Sequence, residues 1–227
     1  MSNDCQLPRT LWACFVAATL SSMAQAASVD VVPYMSLKPG QWAVVQRDGV
    51  PTQDGYATTK GKNGQVVQTW YYNEGSGWAF DSSLVFLVST TELSLLEEND
   101  GTARWRYEPP VVIPRPVNVG QPVFYAGRVK NLSTNATSAR TLVFLVTAKG
   151  LAADAPAGSF VDCIKNRMYT YGDGRSRDSV SLHCRDRHAV KGWLTKIKDG
   201  TDPQFEEMDQ SGPNLMTQSG DSNPPFP

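Results

Sequence analysis

Asp-Gly and Asn-Gly dipeptides punctuate this chain, and they limit its fold more than any other feature. Six such pairs occur, at Asp48-Gly49, Asp54-Gly55, Asn63-Gly64, Asp100-Gly101, Asp173-Gly174 and Asp199-Gly200. Asn, Asp and Gly tolerate the positive φ angles of a two-residue type I′ turn, and that turn matches the twist of two antiparallel strands. Several of the pairs separate runs rich in Val, Thr, Tyr, Phe and Trp. The sequence therefore predicts an all-β chain arranged as an antiparallel meander.

Two of these turns predict specific cross-strand neighbours. If residues 63–64 and 100–101 are two-residue turns, each turn fixes the register of its hairpin. The predicted opposite pairs are Ala57 with Trp70 and Tyr56 with Tyr71 around the first turn, and Leu96 with Trp105 and Glu97 with Arg104 around the second. Both registers bring chemically compatible side chains together.

The pentapeptide LVFLV occurs twice, at residues 84–88 and 142–146. Every position in it is apolar, so neither strand has a face suited to solvent, and both are predicted to be covered on two sides. Helix signals are weak throughout. The proline-rich segment 107–122 is predicted to be an extended edge or a crossing loop.

The first residues have the features of an export signal. Arg9 supplies a positive charge, residues 11–20 form an apolar run too short to span a bilayer, and Ala24 and Ala26 are small residues suited to cleavage. We therefore predict that residues 1–26 are a signal peptide and that the mature protein is exported to the periplasm or secreted. No later stretch has the length of a transmembrane helix.

Removal of the leader leaves two cysteines, Cys163 and Cys184, in a compartment where disulfides persist. With Asp173-Gly174 as a two-residue turn, Gly172 lies opposite Arg175, so the numbers of paired residues sum to 347. The cysteine numbers have the same sum, and counting along the hairpin places them at a non-hydrogen-bonded position. Cα atoms approach to about 4.5 Å at such a position, a distance that suits a disulfide.

Metal binding and redox chemistry are the alternatives for these cysteines. A metal site would need further Cys or His ligands, and the only histidines are His183 and His188. A redox pair more usually has C-x-x-C spacing at a helix start. His183 and Cys184 are strand neighbours and point to opposite faces, and both histidines are predicted to be surface residues. Since no catalytic sequence motif is present either, the chain is predicted to be non-enzymatic, without a cofactor or metal.

Charge is distributed unevenly along the chain. The net charge of -1 gives no reason to expect nucleic acid or an anionic membrane as a partner. Residues 163–198 nevertheless carry nine basic and three acidic side chains, whereas residues 199–227 carry six acidic and no basic ones. The second stretch is predicted to be a disordered acidic tail that can fold back over the basic one. Candidate contacts for an anion or a partner are Arg175, Arg177, Arg185 and Arg187; the alternative is a solvated basic face.

Aromatic side chains occur in nearly all of the predicted strands. In β proteins such residues are core more often than ligand site, but a curved sheet without a helix to fill it can leave an apolar groove. The candidate groove residues are Trp42, Trp70, Trp105, Phe86 and Phe144.

Two stretches resemble an uncharacterised class of exported bacterial β-sheet proteins. The stretch YMSLKPGQWAV begins at Tyr34, and PAGSFVDCIK at Pro156 is similar to a P-A-G-[ST]-F-x-x-C element of that class. The resemblance implies an architecture similar to that of periplasmic lipoprotein carriers, in which a strongly curved antiparallel sheet forms an open barrel or half-barrel.

Together these features predict one β domain over residues 27–198, preceded by the signal peptide and followed by the acidic tail. The leading functional hypothesis is a non-enzymatic exported protein that binds a lipid or another hydrophobic envelope ligand in a groove of the sheet. The alternative hypothesis is an envelope interaction or scaffold protein that has a packed core and uses the basic region 163–198 for contact.

Overall fold

The structure is a computed structural model of the 227-residue chain, and it describes residues 27–73, 75, 77–172, 175–187, 189–197 and 204–212. The predicted signal peptide, residues 1–26, lies outside the described residues. The strands are β1 (Ser28–Val29), β2 (Trp42–Arg47), β3 (Val50–Lys60), β4 (Gln65–Asn73), β5 (Trp78–Val88), β6 (Glu92–Asn99), β7 (Arg104–Pro114), β8 (Val117–Asn118), β9 (Val123–Asn131), β10 (Thr137–Ala155), β11 (Gly158–Gly172), β12 (Arg175–Cys184), β13 (Ala189–Ile197) and β14 (Gln204–Gly212). Short 3-10 helices span Val32–Tyr34 and Lys62–Gly64.

The strands form one large antiparallel sheet and one small sheet. The large sheet has the order β10-β11-β12-β13-β14-β2-β3-β4-β5-β6-β7-β9, and β9 pairs again with β10. Strands β1 and β8 form the small sheet. The prediction of an all-β chain with a strongly curved antiparallel sheet is confirmed. In its strand pairing the sheet expected to be open closes on itself, because β14 joins β13 to β2.

The register predicted for the cysteine hairpin is confirmed. Gly172 pairs with Arg175 and Cys163 pairs with Cys184, with an unbroken ladder between the two pairs. The two residues enclosed by the first pair, 173 and 174, lie outside the described residues. The turn at 48–49 also has two residues, since Arg47 pairs with Val50.

The register predicted around residues 63–64 is wrong by one residue. The observed pairs are Tyr56 with Trp70 and Ala57 with Thr69, in place of Tyr56 with Tyr71 and Ala57 with Trp70. Lys60 pairs with Val66, so the connection has five residues, and the amide of Gly61 donates to the carbonyl of Gln65 at 2.9 Å. The longer turn shifts the pairing by an odd number, which exchanges the faces of one strand relative to the other.

The register predicted around residues 100–101 is wrong by two residues. The observed pairs are Glu97 with Arg106, Glu98 with Trp105 and Asn99 with Arg104, in place of Leu96 with Trp105 and Glu97 with Arg104. The Asp100 carboxylate accepts hydrogen bonds from the amides of Thr102 (3.0 Å) and Ala103 (2.8 Å), which lengthens the turn to four residues. An even shift preserves the faces, so Glu97 still forms an ion pair with Arg104 at 2.9 Å.

Part of the predicted acidic tail is a strand. β14 lies between β13 and β2, with Lys191 opposite Glu207 and Arg47 opposite Glu206. Met208 of this strand is completely buried. Pairing on both edges and burial of this residue outweigh the polar composition from which disorder was predicted. The acidic stretch does return alongside the basic one, as expected; residues 199–203 and 213–227 of the predicted tail lie outside the described residues.

The interior contains two hydrophobic clusters. The first cluster is bounded by strands β4 to β7 and β9 to β11, and the second by β2, β3 and β10 to β14. Strand β10 reaches both, since Phe144 belongs to the first cluster and Ala153 to the second. Register shifts between Val146 and Ala153 allow this long strand to bend from one cluster to the other.

The two LVFLV strands are covered on one side only. In the second copy Leu142, Phe144 and Val146 are buried in the first cluster, and the residues between them point away from it. In the first copy Phe86 is buried while Leu87 is 40 % exposed. The prediction of cover on two sides is therefore wrong for the described residues, because both strands lie in the sheet wall with one side toward solvent.

Candidate functional site

Residues 27–41, called here the inner segment, fill the space inside the first cluster. Val31 has no exposed surface, and Tyr34 and Leu37 are 3 % and 5 % exposed. These side chains belong to the same cluster as Phe86 and Phe144 from the sheet. The chain itself thus occupies the apolar space that the sequence suggested for a ligand.

Polar side chains of the sheet hold the backbone of the inner segment. The hydroxyl of Thr58 donates to the carbonyl of Ser36 at 2.7 Å, and its amide donates to the carbonyl of Gln41 at 2.9 Å. The amide group of Gln68 donates to the carbonyls of Met35 and Ser36. Since Thr58 and Gln68 are themselves buried, these bonds satisfy polar groups on both sides that water does not reach.

A disulfide joins Cys163 to Cys184, as predicted. The Cα atoms are 3.9 Å apart, and both residues lie in the second cluster with at most 1 % exposure. A bonded and buried pair of this kind has a structural role. The alternative metal and redox roles of these cysteines have no support in this geometry.

Two residues next to the disulfide, Asp162 and Arg185, bind Tyr34 of the inner segment. These three residues are called here the clamp. The Tyr34 hydroxyl donates to Asp162 Oδ1 at 2.8 Å and accepts from Arg185 Nη2 at 3.0 Å. Arg185 Nε donates to the other oxygen of Asp162. The hydrogen bonds from Arg185 and Tyr34 hold the pKa of the Asp162 carboxyl below its usual range, whereas burial raises the pKa of Tyr34.

A second ion pair holds the start of the inner segment. Arg115 Nε and Nη2 donate to the two carboxylate oxygens of Asp30 at 2.9 and 2.7 Å, and Nη1 donates to the carbonyl of Ser89. The hydrogen bonds from Arg115 hold the pKa of Asp30 below its usual range. The inner segment is therefore fastened by a bidentate pair near one end and by the clamp further along.

His183 is half-buried rather than exposed. Burial of its ring lowers the pKa to about 4, partly opposed by a hydrogen bond with the backbone of Tyr34. The predicted surface histidine is therefore partly covered, because the inner segment contacts this side of β12. His188, the other histidine, lies outside the described residues.

The structure does not bring the candidate groove aromatics together. Phe86 and Phe144 are 3 % and 2 % exposed in the first cluster, and Trp105 packs against that cluster. Trp70 packs against the second cluster, where its ring meets Tyr56 edge-to-face with ring centres 5.6 Å apart. The remaining candidate, Trp42, begins β2 and is half-buried. The candidates other than Trp42 are therefore divided between the two clusters.

The four candidate arginines do not form one site. Arg175 begins β12 and Arg177 is exposed two residues further on, whereas Arg185 and Arg187 follow the end of that strand. Eight residues of extended chain separate Arg177 from Arg185, a distance of about 26 Å. Arg185 is also engaged in the clamp. An anion site built from all four residues is excluded by this spacing.

An exposed apolar surface that the sequence analysis missed lies on β9, β10 and β11, on the side away from the first cluster. We call it the outer face; its members are Phe124, Val143, Leu145, Arg167, Tyr169 and Tyr171. Phe124 is 72 % exposed and Tyr171 is 50 % exposed. Two sequence signals indicate this face. They are the second and fourth positions of the second LVFLV copy, Val143 and Leu145, and the Tyr-Thr-Tyr alternation at residues 169–171 of β11.

The strand register places side chains of the outer face in rows across the sheet. Val143 pairs with Phe124 on one side and with Tyr169 on the other, so these three side chains form one row across the sheet. Leu145 pairs with Arg167 in the neighbouring row. A shallow cavity of about 270 Å³ lies among the side chains of Val143, Leu145, Arg167 and Tyr169.

A second cavity, of about 200 Å³, lies beside the clamp. Val32, Pro33 and Leu37 of the inner segment form its apolar side, and Arg185 and Asp186 contribute charged groups. Lys38 forms an ion pair with Asp186, which balances that charge. The cavity is small and belongs to the attachment of the inner segment.

Within the described ranges, no group of three or more His, Cys, Asp and Glu side chains is arranged to hold a metal ion. None of the helices in those ranges has the length and apolar character needed to cross a membrane.

The fold and the site define a class: a curved antiparallel β protein whose interior holds its own N-terminal segment next to a disulfide. No protein-family model matches this chain, and no curated protein matches it. Two solved structures are similar, a "putative lipoprotein" of Parabacteroides distasonis ATCC 8503 and a "putative exported protein with YmcC-like fold" of Bacteroides fragilis NCTC 9343. Each match has a TM-score of 0.45 and covers 79 % of this chain and 98 % of the other, with 9 % and 10 % sequence identity respectively.

Proposed function

We propose that the protein is an exported, non-enzymatic interaction protein of the cell envelope whose interior is filled by its own chain. One observation carries the proposal: the inner segment occupies the first cluster, with Val31, Tyr34 and Leu37 nearly or completely buried. A ligand in that space would have to displace these side chains and break the clamp. The contact with a partner is therefore assigned to the outside of the sheet.

Export is supported by two features of the chain. The leader has the charge, the apolar run and the small residues of a signal peptide. The disulfide between Cys163 and Cys184 suits an oxidising compartment, in which such bonds persist. We assign the protein to the periplasm, and cell fractionation together with the intact mass of the purified protein tests this. A mass corresponding to a first residue near Ala27 is expected; protein retained in the cytoplasm with its leader would contradict it.

A hydrophobic ligand in the interior is the second candidate function. It is favoured by the limited strand pairing of the inner segment, which contributes only Ser28 and Val29 to a ladder with β8. A segment attached mainly by side-chain contacts can be exchanged for a ligand of similar shape more readily than a strand of the large sheet. Release of Tyr34 from Asp162 and Arg185 would be a necessary step in such an exchange.

Native mass spectrometry and lipid extraction of protein purified from the periplasm separate the two functions. A filled interior predicts the mass of the bare mature chain and no stoichiometric lipid. The matched variant Tyr34→Ala loosens the clamp, so uptake of an apolar fluorescent dye by this variant but not by the native chain is the expected pattern. Lipid present in equimolar amount in the native protein, and lost in Tyr34→Ala, would establish the second function instead.

A further inference from the structure

We propose that the outer face binds the surface of a bilayer that contains anionic lipid. The inference rests on the proposed function and deepens it by naming the partner. It concerns the outside of the sheet only, so it makes no use of the interior and its contents.

The aromatic side chains of the outer face are exposed to solvent. Phe124 and Tyr171 are 72 % and 50 % exposed, and Tyr169 is 36 % exposed. These large aromatic side chains lie on β9 and β11, the two strands that flank β10, and contribute nothing to the interior. The register places Tyr169 and Phe124 on either side of Val143, so the exposed apolar surface is continuous. A continuous patch of this kind indicates a contact surface.

Basic side chains surround the aromatic patch. Residues 123–131, 137–147 and 164–172 contain five basic residues and no acidic ones. One of the five, Arg140, is mostly buried, with 16 % of its side chain exposed, and lies 3.7 Å from Glu98. The other four alternate with the buried positions of β9 and β11 and so share the side of the outer face: Arg128, Lys130, Lys165 and Arg167.

Acidic groups on the flanking strands leave this charge positive. Glu108 of β7 is exposed and pairs with Arg128 across the ladder, and Asp178 of β12 accepts two hydrogen bonds from Arg167. Four basic and two acidic side chains leave a local charge of +2, although the whole chain has a charge of -1. An aromatic patch with a basic surround is complementary to a partner that is both apolar and anionic.

The area of the patch favours a bilayer over a protein partner. The exposed parts of Phe124, Tyr169 and Tyr171 amount to roughly 300 Å², since a full aromatic side chain has 150–250 Å². A stable protein interface needs about 800 Å² on each partner, so this patch is small for a second copy or another protein. Aromatic rings at the headgroup level and basic residues near lipid phosphates are the arrangement found at membrane surfaces. The shallow cavity between Leu145 and Tyr169 offers room for part of an acyl chain or a headgroup.

Co-sedimentation of the mature protein with vesicles tests the inference. We expect binding to vesicles of phosphatidylglycerol and phosphatidylcholine (40:60) at 50 mM salt, at least ten-fold weaker binding to pure phosphatidylcholine, and weakening as salt is raised to 300 mM. Phe124→Ser combined with Tyr171→Ser should reduce the affinity at least five-fold. Lys165→Gln should reduce it and flatten its salt dependence. The control is Val161→Ser, which changes a residue that is 77 % exposed on β11 but outside the outer face.

Three results would overturn the inference. They are absence of binding to the anionic vesicles, an equal effect of Val161→Ser and the Phe124→Ser and Tyr171→Ser double substitution, and equal binding to soluble polyglutamate, which has charge but no apolar part. A dimer in analytical ultracentrifugation that the double substitution converts to a monomer would assign the face to a second copy and also overturn it. None of these results changes the interior, so lipid extraction still tests the proposed function separately.

Discussion

The Tyr34 hydroxyl donates a 2.8 Å hydrogen bond to Asp162, the residue immediately before a disulfide cysteine. This bond joins the inner segment to the hairpin β11–β12 across 128 positions of sequence. Replacement of Tyr34 by Phe removes the hydroxyl and leaves the ring in place. We expect a decrease of about 1–2 kcal/mol in the free energy of unfolding, because the hydrogen bonds of the hydroxyl with Asp162 and Arg185 are lost while Asp162 remains paired with Arg185. Urea denaturation of the native protein and of Tyr34→Phe measures this decrease. Tyr171→Phe, at a half-exposed ring, is the control and should change stability by less than about 0.5 kcal/mol.

The disulfide should account for a large share of stability. The bond between Cys163 and Cys184 closes a loop with a sequence separation of 21. A loop of this size corresponds to about 3 kcal/mol in the chain-entropy description. The variant with both cysteines changed to Ala should lose that amount, measured by urea denaturation, and should no longer respond to a reductant that destabilises the native protein. Free thiols in exported protein, detected by mass spectrometry without reduction, would show that the bond is not formed.

His183 makes stability depend on pH. Its pKa is lowered to about 4 in the folded protein, compared with about 6.5 in an unfolded chain. Between these values the unfolded state binds the proton and the folded state does not, so stability falls as pH falls from about 6.5 toward 4. The total is about 3 kcal/mol at 1.36 kcal/mol per pKa unit. His183→Gln should flatten this part of the profile of unfolding free energy against pH. An unchanged slope would show that the ring is accessible to protons in the folded state.

Truncation of two phenylalanines on neighbouring strands should change the free energy of unfolding by very different amounts. Phe144 is 2 % exposed in the first cluster, whereas Phe124, on β9, is 72 % exposed. Phe144→Ala should cost about 3–5 kcal/mol, because it leaves a cavity where the inner segment meets the sheet. Phe124→Ala should change stability by less than about 0.5 kcal/mol. Thermal denaturation of the two variants measures both values, and a large cost at Phe124 would mean that the outer face is covered in the folded protein.

Much of the fold could be predicted from local sequence. The pairing of Cys163 with Cys184 followed from one short turn, since every rung of a regular hairpin is determined by its first pair. The same reasoning failed around residues 63–64 and 100–101. In the first case Gly61 bonds to Gln65 across a longer turn, and in the second the Asp100 carboxylate captures the following amides. Hydrogen bonds inside a turn, from the backbone in the first case and from a side chain in the second, change its length, and dipeptide composition does not show them.

The inner segment could not be predicted in the same way. Its apolar residues, such as Val31 and Leu37, follow no strand or helix period, and its partners Thr58 and Gln68 lie more than twenty residues away. Their burial depends on the closure of the whole sheet. The aromatic residues Phe86 and Phe144 were identified as important, but only the structure shows that the chain itself covers them.

The position of β14 has a consequence for the order in which the protein assembles. Strand β2 ends at residue 47 and β14 begins at residue 204, yet the two are neighbours in the sheet. A chain in which Gln204–Gly212 has not yet been placed exposes the edges of β2 and β13, because this segment pairs with both. Contacts of such long sequence separation form slowly, and unpaired edges attract other strands. The partly folded chain is therefore the form most vulnerable to aggregation. Chaperones that shield strand edges would act at that stage.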